Sequence, residues 1–358
     1  MSILEEAGQE AQQAAEGQES ARNVMGRTQW QLTWLRLRND KVSMIALGVV
    51  ILMIVIAIAA PAFAALTHHA VDAAYPDTGE DASGNPVGPG VAGFPLGTDS
   101  TGRDLLVRIV YGARISLFVG VVTTLIAVVL GVAIGLIAGY FGGVIDTILA
   151  RFTDAVLSFP YVLLALALAT VFGPSLTLIV ALITFFSWAG IARIVRGQTL
   201  SLKEKEYIEA ARSLGAGPFR IMFFDILPNL LAPVLVVGTL YIPNAVVFES
   251  TLSFLGLGIQ PPTPSWGNML ADASNFYQVA WWYIVFPAVF LLITTLAFNL
   301  LGDGIRDAMD PRTERLIAAR RMRNRSRRRR AGAARGGGPS SSFPDPVRSP
   351  GAGAGTGQ

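Results

Sequence analysis

The chain has 358 residues, 52% of them hydrophobic and only 15% charged, and carries a net charge of +3. That balance is too apolar for a soluble globular domain, and the absence of cysteine excludes a disulfide framework and thiolate chemistry. None of its three lysines (Lys41, Lys203 and Lys205) follows a glycine, so a phosphate-binding G-x-x-x-x-G-K-[ST] loop is excluded and any ATP-driven step belongs to another chain.

Residues 1–41 begin Glu/Gln/Ala-rich and become basic at Arg22, Arg27, Arg36, Arg38 and Lys41, the composition of a disordered or loosely helical tail. Residues 42–66 carry no charge, and about 20 apolar residues suffice to cross a bilayer. Ala62-Phe63-Ala64 has the form of a cleavage site, but the long preceding segment and the long apolar run favour an uncleaved first span.

Residues 67–114 form an acidic loop, irregular through its Gly- and Pro-rich stretch at 77–93. His68-His69 lacks further spaced ligands and reads as a solvated pair rather than a metal site. Thr98, Asp99, Ser100 and Thr101 are candidate helix caps. Leu105, Leu106, Ile109, Val110 and Ala113 make an amphipathic stripe, which predicts a separate interfacial helix.

A second span follows over the uncharged run 115–145, where Gly131, Gly135 and Gly139 recur every four residues and permit close helix packing. The uncharged run 155–192 is too long for one span and reads as a hairpin turning at Gly173-Pro174-Ser175, kinked at Pro160 and closed by Arg193 and Arg196.

Between the fourth and fifth spans lies a charged loop, residues 202–229, LKEKEYIEAARSLGAGPFRIMFFDILPN. Good helix formers over 202–214 predict a helix with Leu202, Tyr207, Ala210, Ala211 and Leu214 on one face. Gly215-Ala216-Gly217-Pro218 stops it, Pro218 starts a short second helix, and Leu227-Pro228 opens the next span. Physics alone leaves two readings, an amphipathic loop resting on lipid headgroups or a docking surface built on small residues, with Glu209 to fix register.

Residues 230–248 make a fifth span distorted by Pro233 and Pro243. Glu249 then snorkels at the outer interface or, on a sharper reading, contacts substrate or a gate. Residues 250–282 are broken by glycines and prolines and fold back on the bundle; Trp281, Trp282 and Tyr283 suit an interfacial belt, and 284–301 is the sixth span. The tail 313–358 carries eight arginines within 320–330, placed to meet anionic lipid rather than nucleic acid. Six spans put both termini on one side, and the basic ends with the charged loop make that side cytoplasmic.

Glu209-Ala210-Ala211, three residues, Gly215, and then Ile226-Leu227-Pro228 resemble the EAA loop of permease subunits in ABC-type import systems. The Asp225–Asn229 spelling, the PLGTDxxGRD stretch from Pro95, the FLGLGIQPPxPSWGxML stretch from Phe254 and the ending Asp310-Pro311-Arg312 resemble its peptide/nickel branch. Where that branch commonly has His, this chain has Asp225.

The resemblance implies an all-α integral membrane protein with the type I importer fold: a peripheral first span and a permease core over 115–312. It implies an extracytoplasmic binding protein, a second permease, two cytoplasmic ATPases that bind the ATP, and no cofactor of its own. Glu206, Glu209, Ala210, Ala211, Gly215, Leu227 and Pro228 are the implied ATPase-docking residues. The implied cargo is a di- or oligopeptide, with nickel as the alternative. A self-contained channel or secondary transporter is a further reading; it is weakened because the sequence offers no obvious repeat and no charge deep in a span. An enzyme or its anchor is weaker still, as no catalytic constellation is present.

Overall fold

The computed structural model describes residues 29–309 and is all-helical over them. The basic end of the predicted tail is the helix α1, Gln29–Asn39; the rest of the tail and the arginine run lie outside the described residues. Asp40 ends α1 and caps α2, Lys41–Ile58, by accepting the backbone N–H groups of Val42 and Ser43. The Ser43 hydroxyl and N–H together hold the Asp40 carboxyl below the usual carboxylate range. The first span is therefore shorter than 42–66: the helix breaks at Ala59, and Ala60–Thr67 forms a separate element, α3.

The next helix, α4, runs unbroken over Leu105–Phe141. Its 37 residues rise about 55 Å, well beyond an apolar layer of about 30 Å. The predicted interfacial helix is thus the protruding start of the second span. Leu105, Ile109, Val110 and Ala113 are buried by the 68–104 loop and by later elements, so their stripe records protein contact rather than a lipid surface. The cap is Asp104, which accepts the N–H groups of Leu106 (2.8 Å) and Val107 (3.2 Å), not one of residues 98–101. His69 is also not a solvated loop residue: its Nδ1 meets Asp104 Oδ2 at 2.6 Å and its ring stacks on Phe94.

After α4 come α5, Gly143–Ser158, and α6, Tyr161–Phe172, which meet at a 76° bend before Pro160. The freed proline backbone explains the break. Asp146 and Asp154 lie on α5 and pair with Arg196 and Arg193. Both arginines belong to α7, Leu176–Leu202, which Ser175 caps after the Gly173 turn. The glycine stripe of α4 lies against α7: a Cβ on Gly131 would meet Ile191 at 2.7 Å, and one on Gly139 would meet Thr199 at 2.6 Å.

Following α8, Glu206–Ser213, a continuous helix α9 spans Pro218–Phe254 with Pro233 and Pro243 inside it. The segment after α9 folds back as α10, Trp266–Ala273, whose N-terminus is closed by reciprocal Ser265–Asn268 hydrogen bonds. Trp266 is fully buried and donates its Nε1–H to the Ile109 carbonyl of α4 at 3.1 Å. The last helix, α11, covers Trp281–Met309. Trp281 is exposed as a belt residue should be, but Tyr283 is buried and donates its hydroxyl to Asp272 at 2.6 Å.

Five of these helices (α2, α4, α7, α9 and α11) are long and apolar enough to cross a membrane, and the bent α5–α6 pair passes the same test when taken as one span, for up to six. The first and last described helices meet at one end, where the Arg36 guanidinium donates to the Ala308 carbonyl at 3.1 Å.

Candidate functional site

The predicted docking loop begins with a polar hinge. α7 continues to Leu202, and Lys203 reaches back to the Gly139 carbonyl at 3.0 Å, tying the end of α7 to the end of α4. Only then does α8 begin, four residues later than the expected 202. Ile208 is fully buried among Leu136, Val195, Ile221, Met222 and Ile226, and Arg212 lies 5.9 Å over the Tyr140 ring. Of the residues expected to share one face, Tyr207, Ala210 and Leu214 are exposed and Ala211 is half-buried.

The end of α8 follows from backbone hydrogen bonding. Ala216 N–H bonds the Ala211 carbonyl at 3.0 Å and Gly215 N–H bonds that of Arg212 at 2.9 Å, the paired pattern of a Schellman cap. Gly215 takes φ +86°, where an L side chain is strained, and has open space around it. Its glycine is therefore demanded by the turn itself, quite apart from any partner.

The predicted short second helix does not stand alone. Pro218 occupies the first turn of α9, as expected, and the helix then runs through one π-type stretch, Ile221–Ile226. The wider turn lets Ile221, Met222, Ile226 and Leu230 all face the core. It leaves Phe223 and Phe224 outside, with Phe219 and Leu214 nearby in sequence and equally exposed.

Of the predicted docking residues, Glu206, Glu209, Ala210 and Gly215 are exposed and Ala211 is half-buried. Pro228 is exposed, but Leu227 packs into the core cluster and works as part of the span. Sequence reasoning missed Ile208 as the anchor and Leu214, Phe219, Phe223 and Phe224 as surface. Apart from Arg220 the run FRIMFF is apolar, so the sequence alone does not show which of its hydrophobic residues face out.

The other end of the bundle holds a polar centre that the sequence reading placed at an interface. Glu249 is fully buried, not snorkelling. Its carboxylate accepts the hydroxyls of Ser253 (2.8 Å) and Ser116 (3.0 Å), and Ser253 in turn accepts the Ile259 N–H at 3.1 Å. Arg108 is buried too, 3.0 Å from Asp99. Ionisable side chains are thus present inside the protein, Glu249 among serine hydroxyls and Arg108 beside a carboxylate.

Among the described residues, a helical bundle thus carries a short charged helix, α8, at one end, with exposed apolar side chains beside it. The chain belongs to the family described as binding-protein-dependent transport system inner membrane component, which matches residues 131–315. Residues 28–79 match the N-terminal TM domain of oligopeptide transport permease C. It is a multi-pass membrane protein of an inner-membrane permease family, and the six-span all-helical architecture agrees with the sequence reading.

Among curated relatives, the oligopeptide transport system permease protein OppC of Escherichia coli K12 is 43% identical over 289 residues, 81% of this chain and 93% of that one. OppC of Haemophilus influenzae is 42% identical over 290 residues, covering 80% of this chain and 90% of that one. The dipeptide transport system permease protein DppC of Bacillus subtilis is 41% identical, covering 80% and 86%. A solved inward-facing MetNI methionine ABC transporter superposes with TM-score 0.47 at 20% identity over 57% of this chain and 96% of that one.

Proposed function

We propose that this chain is one of two permease subunits of an ATP-driven importer of di- or oligopeptides. The observation that carries the reading is α8: a helix anchored by one buried isoleucine, presenting Glu206, Glu209 and Ala210 outward between two of the spans. The relatives named for oligopeptide and dipeptide transport support the cargo class, and their length is almost fully covered.

In this reading α8 sits in a groove of a cytoplasmic ATPase, and the two chain termini lie on the same cytoplasmic side. A second, related permease closes the pathway, two ATPases bind the two coupling helices, and an extracytoplasmic binding protein delivers cargo at the opposite end. ATP closes the ATPase dimer, α8 moves with it, and its contacts with α9 and, through Arg212 on Tyr140, with α4 tilt the bundle from inward-open to outward-open. The energy comes from ATP held by the partner chains; this subunit contributes coupling and a path.

The test is to purify the tagged chain from its native membrane in mild detergent, identify the proteins that accompany it, and reconstitute the complex. A second permease with ATPases, and ATP-dependent uptake of labelled alanine peptides but not of nickel, is the expected result. Nickel uptake in place of peptide moves the cargo to the alternative. A chain that purifies alone and moves solute without ATP contradicts the importer reading.

A further inference from the structure

The break between α5 and α6 opens a cavity of about 230 Å³ on the membrane-spanning part of the bundle. Three elements meet around it: the break itself with Phe159 and Tyr161, α7 with Ser187, and α9 with Tyr241, Asn244 and Phe248. Tyr161 packs on Phe248 with ring centroids 4.9 Å apart, so the bend delivers an aromatic wall to the C-terminal part of α9.

Most of its polar groups are left without protein partners among the described residues. The hydroxyls of Tyr161, Ser187 and Tyr241 make no hydrogen bond there. Asn244 uses one N–H on the Leu240 carbonyl at 3.0 Å and keeps its amide oxygen open. Hydrocarbon offers no substitute partner, and four such groups turned to lipid would be costly. They gather instead on one open volume. Tyr241 is also fitted there: its hydroxyl occupies the space that a Cβ on Gly190 would take, so glycine at that position of α7 is what lets the ring lie between the two helices.

We propose that this cavity is the cargo-contacting wall that the chain contributes to the transport pathway, and that it takes the main chain of a peptide. The inference rests on the functional reading above. The lining residues carry no charge and include no carboxylate or imidazole, so they do not suit a metal cation. Hydroxyls and a carboxamide both donate and accept, which suits peptide groups whatever their side chains. The aromatic rings receive apolar side chains without selecting among them.

The chain's lack of cysteine makes the test direct. Ser187→Cys and Asn244→Cys each introduce the chain's only thiol, with Leu163→Cys, on the exposed face of α6, as the comparison. The full complex in liposomes is treated with methanethiosulfonate ethylsulfonate, a water-soluble reagent, and modification of this chain is read by mass. Uptake of labelled di-, tri- and pentaalanine is then measured beside ATP hydrolysis. The expected result is that the thiols introduced at 187 and 244 are modified, and that modification cuts uptake at least tenfold while ATP is still hydrolysed. The comparison thiol stays unmodified. Thiols at 187 and 244 that resist the reagent, because lipid or the second permease covers the cavity, overturn the assignment, as does full modification without effect on uptake. An unmodified complex that carries none of the alanine peptides overturns the functional reading instead, and the peptide cargo assigned here falls with it.

Discussion

Ser116 on α4 donates its hydroxyl to the Glu249 carboxylate on α9 at 3.0 Å, and both side chains are completely buried. The two residues are 133 positions apart in the chain. Glu249 also gathers Ser253, which holds the start of the fold-back segment through the Ile259 N–H. One carboxylate thus joins two spans and the loop that leads to α10.

Removing that acceptor leaves buried hydroxyls unpaired, at about 1–3 kcal/mol for each unsatisfied group. Glu249→Leu is expected to lower the melting midpoint of the detergent-solubilised protein clearly, and Glu249→Gln, which keeps an acceptor oxygen, by less than half as much. Equal shifts for the two variants would contradict the hydrogen-bonding role.

The α4–α7 contact depends on absent side chains. A Cβ on Gly135 would lie 2.5 Å from the Ala192 carbonyl oxygen and 2.8 Å from Val195 Cβ, and backbone does not yield as a flexible side chain does. Gly135→Val should push the helices apart at an overpacking cost of about 1–3 kcal/mol. Gly48→Ala, on α2, meets nothing within 4 Å and should leave stability unchanged or slightly raised. Thermal unfolding of the two variants beside the parent checks the contrast.

α8 is held to the bundle chiefly by Ile208. Truncating a fully buried aliphatic side chain of this size costs about 2–5 kcal/mol, more than a short peripheral helix holds in reserve. Ile208→Ala is therefore expected to raise amide hydrogen exchange across 206–217 by at least tenfold while the spans stay protected. Tyr207→Ala, one residue away but exposed, should leave exchange at the parent level.

Gly215 and Gly217 flank the same turn and separate conformation from space. Gly215 sits at φ +86°, whereas Gly217 is extended at φ −73°, and neither has a neighbour within 4 Å. Gly215→Ala should cost about 1–2 kcal/mol through backbone strain alone. Gly217→Ala should cost little. Exchange rates at the end of α8 distinguish the two positions, and matching behaviour would contradict the turn assignment.

Much of this architecture is legible in the sequence because its causes are local. The uncharged runs, the Gly173-Pro174-Ser175 turn, the glycine stripe at 131–139 and Pro218 in a first helical turn each act where they stand. What misleads is contact at long range. The stripe at 105–113 looks interfacial because α10 and α11, which help to bury it, are distant in sequence. Glu249 looks like a snorkelling charge because the serine that pairs with it lies on another span. Ile208 goes unnoticed as the anchor of α8 because most of the buried side chains clustered with it come from other helices.

The central claim is that α8 passes the motion of an ATPase to the spans, and Glu209→Arg tests it most directly. Glu209 is exposed and makes no contact that the fold requires, so reversing its charge should leave membrane insertion and abundance intact. The measurement is ATP-dependent uptake of labelled alanine peptides into liposomes carrying the purified complex, with chain abundance and ATPase content determined on the same sample. At least a tenfold loss of uptake at parental abundance, with the ATPases bound more weakly or hydrolysing without transport, is the predicted result. Uptake at the parental rate with the ATPases fully retained would contradict the account.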